Sequence, residues 1–270
     1  MARGLDHIVH AVHDLDAAVA LYRRAGFQVG ARNVHPRVWG TQNHVVQLAG
    51  TYIELLALAD MSGMVPHAPR HFSFGAFNRD FLKRGEGLSM LVLEGRGAAD
   101  ADRFRAAGIS NFDLHEFERE GKRPDGTAVK LAFALAFASD PHAPETGFFT
   151  NQHRYPEIFW NPAFQQHPNG AKAVAGVIAV AGDPNRHRDF LLAFCDAAGI
   201  QDGDEGFIID LARGQRIEVI RPEAFERRYR TSAPDSSGGL RLAALSFSGP
   251  ALAQSQETAM GATLVFELSG

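Results

Sequence analysis

The chain has 270 residues, 45% of them hydrophobic, and its 27 Lys and Arg against 31 Asp and Glu leave a net charge of −4. That is more than one typical domain and enough to bury a large core, while the lack of any extended basic run argues against a nucleic-acid partner, whose phosphates need clustered Lys and Arg. No apolar stretch nears the roughly 20 residues that cross a bilayer, and no signal-peptide pattern opens the chain, so a cytoplasmic protein with neither membrane nor nucleic acid as partner is expected.

A strand is predicted at once, over residues 5–12. Asp14-Leu15-Asp16 then caps a helix to about Arg24, with Leu15, Val19 and Tyr22 at helical spacing and Gly26 as its stop. Strands are expected over 27–31, 43–48 and 52–58, the last two joined by the tight Ala49-Gly50 turn. This first unit is βαβββ. A linker follows over 59–85, and a second unit opens with the apolar strand 87–93 and a helix ending at Ala107-Gly108-Ile109. Its later strands fall at 129–138 and 147–153, before Pro156, Pro162 and Pro168-Asn169-Gly170 punctuate a crossing segment. A third unit spans about 173–221, with its helix ending at Ala198-Gly199-Ile200, and strands at 240–247 and 262–268 leave a fourth unit incomplete. The helix-stop glycines at 26, 108 and 199 set a period of roughly 80 to 90 residues, which marks a tandem array.

Overlaying the copies on those glycines places His7 opposite Ser89 and Ala175, and Glu54 of Tyr-Ile-Glu-Leu-Leu opposite Glu218 of Arg-Ile-Glu-Val-Ile. One copy carries chemistry and its sisters look degenerate. The single cysteine, Cys195, lies in a helical apolar pattern and reads as a small core hydrophobe.

The segments Leu5-Asp6-His7-Ile8-Val9, Asp14-Leu15-Asp16-Ala17-Ala18, His35-Pro36 through Gly40-Thr41-Gln42-Asn43, Tyr52-Ile53-Glu54-Leu55-Leu56, Gln152-His153 with Pro156-Glu157, and His167-Pro168-Asn169-Gly170 together resemble the vicinal oxygen chelate superfamily, and within it the glyoxalase-like domain proteins. The resemblance implies an α+β fold of tandem βαβββ modules forming curved, cup-shaped mixed sheets. It gives a glyoxalase-like domain of two modules over 1–165, and a degenerate half, a third module plus a partial fourth, over 166–270. It also implies a divalent metal in the cup that binds vicinal oxygens of a substrate. It leaves the reaction open, because such proteins include isomerases, lyases, dioxygenases and metal-free binding proteins.

Residue chemistry supports a metal. His7 shares a strand face with Val9 and Ala11, and Glu54 with Tyr52 and Leu56, so an imidazole and a carboxylate converge if both faces line one cup. His153, at the end of the second unit's last strand, would complete a two-histidine, one-carboxylate set that suits Fe(II) or Mn(II) and also Zn or Ni. His7, Glu54 and His153 are therefore the candidate metal ligands, and Glu54 and His153 the candidate catalytic groups. The plain alternatives are a structural histidine at each site and an Arg-paired or edge glutamate at position 54, although a carboxylate in an apolar strand is costly unless paired or metal-bound.

His35, Asn43, Phe74 and Phe77 are candidate pocket residues, the rings belonging to a Phe-rich run at 71–81 that reads either as a flap or as core packing. Gly95-Arg96-Gly97-Ala98-Ala99-Asp100 lacks the parallel βαβ context of a dinucleotide loop. The expected function is a metal-dependent lyase, isomerase or dioxygenase acting on a small, partly apolar substrate with vicinal oxygens. The alternative is a metal-free small-molecule binding or resistance-type protein using the same cup. A homodimer is a possible assembly.

Overall fold

The strand β1 (Leu5–Ala11) is buried along its whole length, as its near-continuous apolar text requires of a strand covered on both faces. It sits at the centre of an eight-stranded sheet in a computed structural model that describes residues 2–122, 127–249 and 255–268. Asp14 caps α1 (Leu15–Arg24) by accepting from the Ala17 amide, and Gly26, at φ 81°, turns the chain out of the helix. β2 (Asn33–Val34), β3 (Thr41–Leu48) and β4 (Thr51–Leu58) follow, with β4 parallel to β1. After a helix α2 (Phe74–Leu82), the second unit repeats the plan with β5 (Gly87–Glu94), α3 (Ala98–Ala106), β6 (His115–Lys122), β7 (Ala128–Ala138) and β8 (Gly147–His153), and a single turn, α4 (Pro156–Phe159), follows it. The strand order is β2-β3-β4-β1-β5-β8-β7-β6, with β1 and β5 antiparallel at the junction of the two units.

A second sheet has seven strands, built from β9 (Ala173–Val180), β10 (Gln201–Gly203), β11 (Gly206–Asp210), β12 (Arg216–Ile220), β13 (Arg241–Gly249), β14 (Ser255–Ala259) and β15 (Ala262–Leu268). Its order, β10-β11-β12-β9-β13-β15-β14, repeats the first sheet with one strand fewer. The two curled sheets are those of an α+β, glyoxalase-like fold. Between the β13 and β15 segments the described residues contain β14 but no helix.

One apolar core joins the two sheets, with Leu5, Ile8, Leu91 and Phe148 of the first packed with Val177, Phe194, Leu245 and Phe247 of the second. Buried polar contacts tie the same interface. Arg3 pairs with Asp100 at 2.6 Å and donates to the Phe194 carbonyl, Asp140 bonds His187 at 2.7 Å, and Gln215 accepts from the Leu5 amide. The Asp100 carboxylate also accepts from the Arg96 amide and the Thr150 hydroxyl, which makes the Gly95–Asp100 turn a structural junction. No helix among the described residues is long and apolar enough to cross a membrane.

Three sequence expectations shift. Residues 27–31 form no strand: the Phe27 amide closes onto Tyr22 and the Gln28 amide donates to His167, which leaves Gly30, bonded to Val45 and His44, as a single point of contact with β3. The linker over 59–85 contains a helix, α2 (Phe74–Leu82), capped by the Ser73 hydroxyl on the Ala76 amide. In the third unit α5 (Arg188–Cys195) ends four residues before Gly199, at Asp196 in the left-handed region. Burial pushes the Cys195 thiol up to about 12, consistent with an inert core position.

Candidate active site

A β-bulge builds the centre of the first cup. In the β1–β5 pairing Leu5 faces Leu93 and His7 faces Val92, so Asp6 is the extra residue. A bulge re-aims its side chain, and here Asp6 Oδ1 lies 2.6 Å from His7 Nδ1. The matching irregularity on β5 falls between Met90 and Leu88, which makes Ser89 the counterpart of Asp6 and Met90 the counterpart of His7. In the second sheet Ala175 occupies the bulge and Gly176 the histidine position. The overlay of His7 on Ser89 and Ala175 was therefore one residue out. Ser89 instead donates to Asn78 Oδ1 of α2, and a Cβ at Gly176 would meet Arg216 Cγ at 2.9 Å.

Asp6 is the hub of the site. Its Oδ2 lies 3.0 Å from His153 Nε2 and its Oδ1 accepts from Asn151 Nδ2. Burial alone would push the carboxyl up, but the charge and hydrogen bond of His153, with those of His7, outweigh it and hold Asp6 well below the usual carboxylate range. An ionised Asp6 accepting at His7 Nδ1 assigns the proton to that nitrogen and turns Nε2 toward Glu54, whose Oε2 stands 3.7 Å away. Glu54 is 5% exposed. Its Oε1 accepts from Asn43 Nδ2 at 2.5 Å and lies 3.4 Å from His35 Nε2, and His35 is itself held by the Thr41 hydroxyl at 2.8 Å.

Aromatic rings enclose this polar floor. Tyr52 stacks on His7 at 4.3 Å between centroids and meets Phe159 at 5.0 Å. From there the wall runs to Phe133 at 6.2 Å, to Phe117 at 5.0 Å and to Trp39 at 4.7 Å. Trp39 touches Phe74 at 4.9 Å, Phe74 meets Phe149 at 6.3 Å, and Phe149 returns to His7 at 5.4 Å, closing the belt. The cavity offers about 50 Å³ to the centre of a water-sized sphere, so it admits water, which needs roughly 10 to 15 Å³. Its polar lining is His7, His35, Asn43, Glu54 and Asn151, and neither Lys nor Arg is among the lining residues.

The structure thus brings His7, Glu54, His35, Asn43 and Phe74 to one cavity. Phe77 packs instead on Phe72 at 5.5 Å, in the layer beneath, and His153 stands behind Asp6 rather than beside Glu54. Asp6, Trp39, Tyr52, Asn151 and the remaining rings were missed. Asp6 carried one legible signal, a carboxylate inside an otherwise apolar strand and next to His7.

The donor set can be tested against a divalent ion from the register. Val9 faces Glu54 in the first unit and Val92 faces Phe149 in the second, so the four equivalent cup positions are His7, Glu54, Met90 and Phe149. Two of these are ligands, and the thioether and the phenyl ring are not suited to a hard ion. His153 spends its Nε2 on Asp6. Among the described residues no cluster of three or more His, Cys, Asp or Glu side chains is arranged to hold a metal. The residues present do not fit the group.

A family model described as a glyoxalase-like domain matches residues 5–195. No curated protein matches the chain. Among solved structures the chain is similar to a hypothetical protein from Staphylococcus aureus, with a TM-score of 0.72 and 14% identity over 98% of this chain and 99% of that one. It is also similar to a variant of 4-hydroxymandelate synthase from Streptomyces coelicolor, with a TM-score of 0.52 and 13% identity over 92% of this chain and 71% of that one. At those identities the likeness is one of fold, and it agrees with the repeated units and the β1–β5 junction. By its matched span, the chain belongs to the glyoxalase-like domain family of the vicinal oxygen chelate superfamily.

Proposed function

We propose that the first cup is the active site of a small-molecule isomerase or lyase in which His7 relocates a proton on the substrate. The observation that carries this reading is the Asp6–His7–Glu54 array at the floor of an aromatic cavity. The buried, ionised Asp6 fixes the imidazole tautomer and stabilises the imidazolium formed when Nε2 takes a proton, the role an orienting carboxylate plays behind a general base. The imidazolium returns that proton to a second atom of the substrate, so atoms and charge balance without an oxidant. His153 and Asn151 act as positioning residues that hold Asp6. Glu54 and Asn43 fix the substrate's polar group, and the rings expel water and strengthen each of these contacts. No step passes through a metal, because the four equivalent cup positions supply two ligands, His7 and Glu54, short of the three usual for a catalytic divalent site.

The test is proton–deuterium exchange into a panel of small carbonyl and hydroxy compounds in D₂O, followed by NMR. His7→Gln is expected to slow exchange by about 10² to 10⁴-fold, the usual worth of a positioned acid–base group, while chelator treatment leaves it unchanged. Exchange that stops on chelation and returns with Fe, Mn, Zn or Ni would replace this reading with the metal-dependent one. Tight binding with no exchange in any compound would make the cup a binding protein.

A further inference from the structure

We infer that the cavity selects a small organic cation, an alkylammonium head group, and rejects anions. This specificity rests on the first cup being the functional pocket. The second sheet supplies an internal comparison. Glu218 of β12 faces Ile178 of β9 as Glu54 faces Val9, so the two glutamates occupy the same place in their cups. Glu218 is neutralised from within the chain. The helix after β12, α6 (Pro222–Tyr229), sends Arg228 Nη1 to Glu218 Oε2 at 2.7 Å, with its guanidinium 5.8 Å over the Tyr229 ring.

The helix that follows β4 carries no such group into the first cup. α2 presents Phe74 there, and its Arg79 is committed to Asp80 at 2.8 Å. Glu54 therefore keeps an Oε2 that His7 Nε2 approaches only to 3.7 Å, beyond hydrogen-bond reach. The rings of the belt line the same cavity as that carboxylate, and no arginine does. A carboxylate inside an aromatic box is the arrangement that recognises ammonium groups, because ring quadrupoles and the negative charge favour the same ligand. No Lys or Arg of the lining could receive a carboxylate or phosphate. The bound cation takes the place that Arg228 fills in the second cup, and the small cavity limits it to a compact head group.

The probes are three compounds of nearly equal shape titrated calorimetrically into the intact protein: choline, its neutral isostere 3,3-dimethylbutan-1-ol, and the anion 3,3-dimethylbutanoate. Choline is expected to bind about tenfold or more tighter than the alcohol, with no detectable binding of the anion. Glu54→Gln should erase that preference, leaving the alcohol within about threefold of its affinity for the unchanged protein. Trp39→Leu, which keeps the carboxylate, should weaken choline more than the alcohol, and thermal melts confirm that each variant folds. Equal or tighter binding of the alcohol, binding of the anion, an unchanged preference in Glu54→Gln, or no binding of any probe would each overturn the inference. Isotope exchange is read separately. A cavity that exchanges protons on neutral substrates but prefers the alcohol overturns only the cation specificity, and one that selects choline without exchanging anything overturns only the proton-transfer reading.

Discussion

Phe148 tests whether the two sheets fold as one body. Its ring is fully buried, and from β8 of the first sheet it packs at 4.7 Å on Phe190 and 5.5 Å on Phe194 of α5, the helix that serves the second. Phe148→Ala removes a buried aromatic from a core that cannot collapse around the gap without moving a sheet, so a cost of about 3 to 5 kcal/mol is expected. At roughly 2.1 cal/mol/K of unfolding entropy per residue, 270 residues give about 0.57 kcal/mol/K, and a loss of about 4 kcal/mol lowers Tm by about 7 °C. Differential scanning calorimetry reads both the shift and the shape of the transition. If the shared core joins the halves, the variant melts in a single transition displaced as a whole. Two transitions, one of them unmoved, or a total shift below about 2 °C would refute the reasoning.

Asp6→Asn should cost about 3 to 5 kcal/mol at neutral pH, the usual loss when a buried charge pair is broken. Because the folded-state value of Asp6 is depressed, its stabilisation is full above the ordinary aspartate value of about 4 and fades as the pH falls through the lower folded one. The Tm gap between variant and parent should therefore narrow below about pH 4, and a gap constant from pH 3 to 7 would remove Asp6 from the role assigned to it. Gly75→Ala places a Cβ 1.9 Å from the Trp39 carbonyl, so α2 must move away from the cavity wall. A destabilisation of about 1 to 3 kcal/mol, typical of overpacking, is expected with a shift in tryptophan emission, and an unchanged melt and spectrum would contradict the packing described.

Much of the architecture was legible in the chain because it depends on local periodicity. The apolar strand text of β1, β5 and β9, the Asp14 cap and the helix-stop Gly26 and Gly108 each act over a few residues, so a repeated unit is visible before it is folded. His7 and Glu54 were legible for a related reason: each interrupts an apolar strand where an unpaired polar group would be costly. The rest depended on cross-strand pairing and on contacts far apart in sequence. Whether Asp6 or His7 points into the cup is decided by a bulge, and a bulge exists only once β1 is paired with β5, since one unmatched residue reverses the alternation on which a strand reading relies. His153 ends the predicted strand, yet it turns to Asp6, a carboxylate 147 positions away in sequence that only the folded sheet brings beside it. The aromatic belt draws single rings from seven separate strands, helices and loops. No spacing in the sequence announces it, because ring contacts are set by where the sheet curls and where α2 docks, and only the tertiary structure decides those.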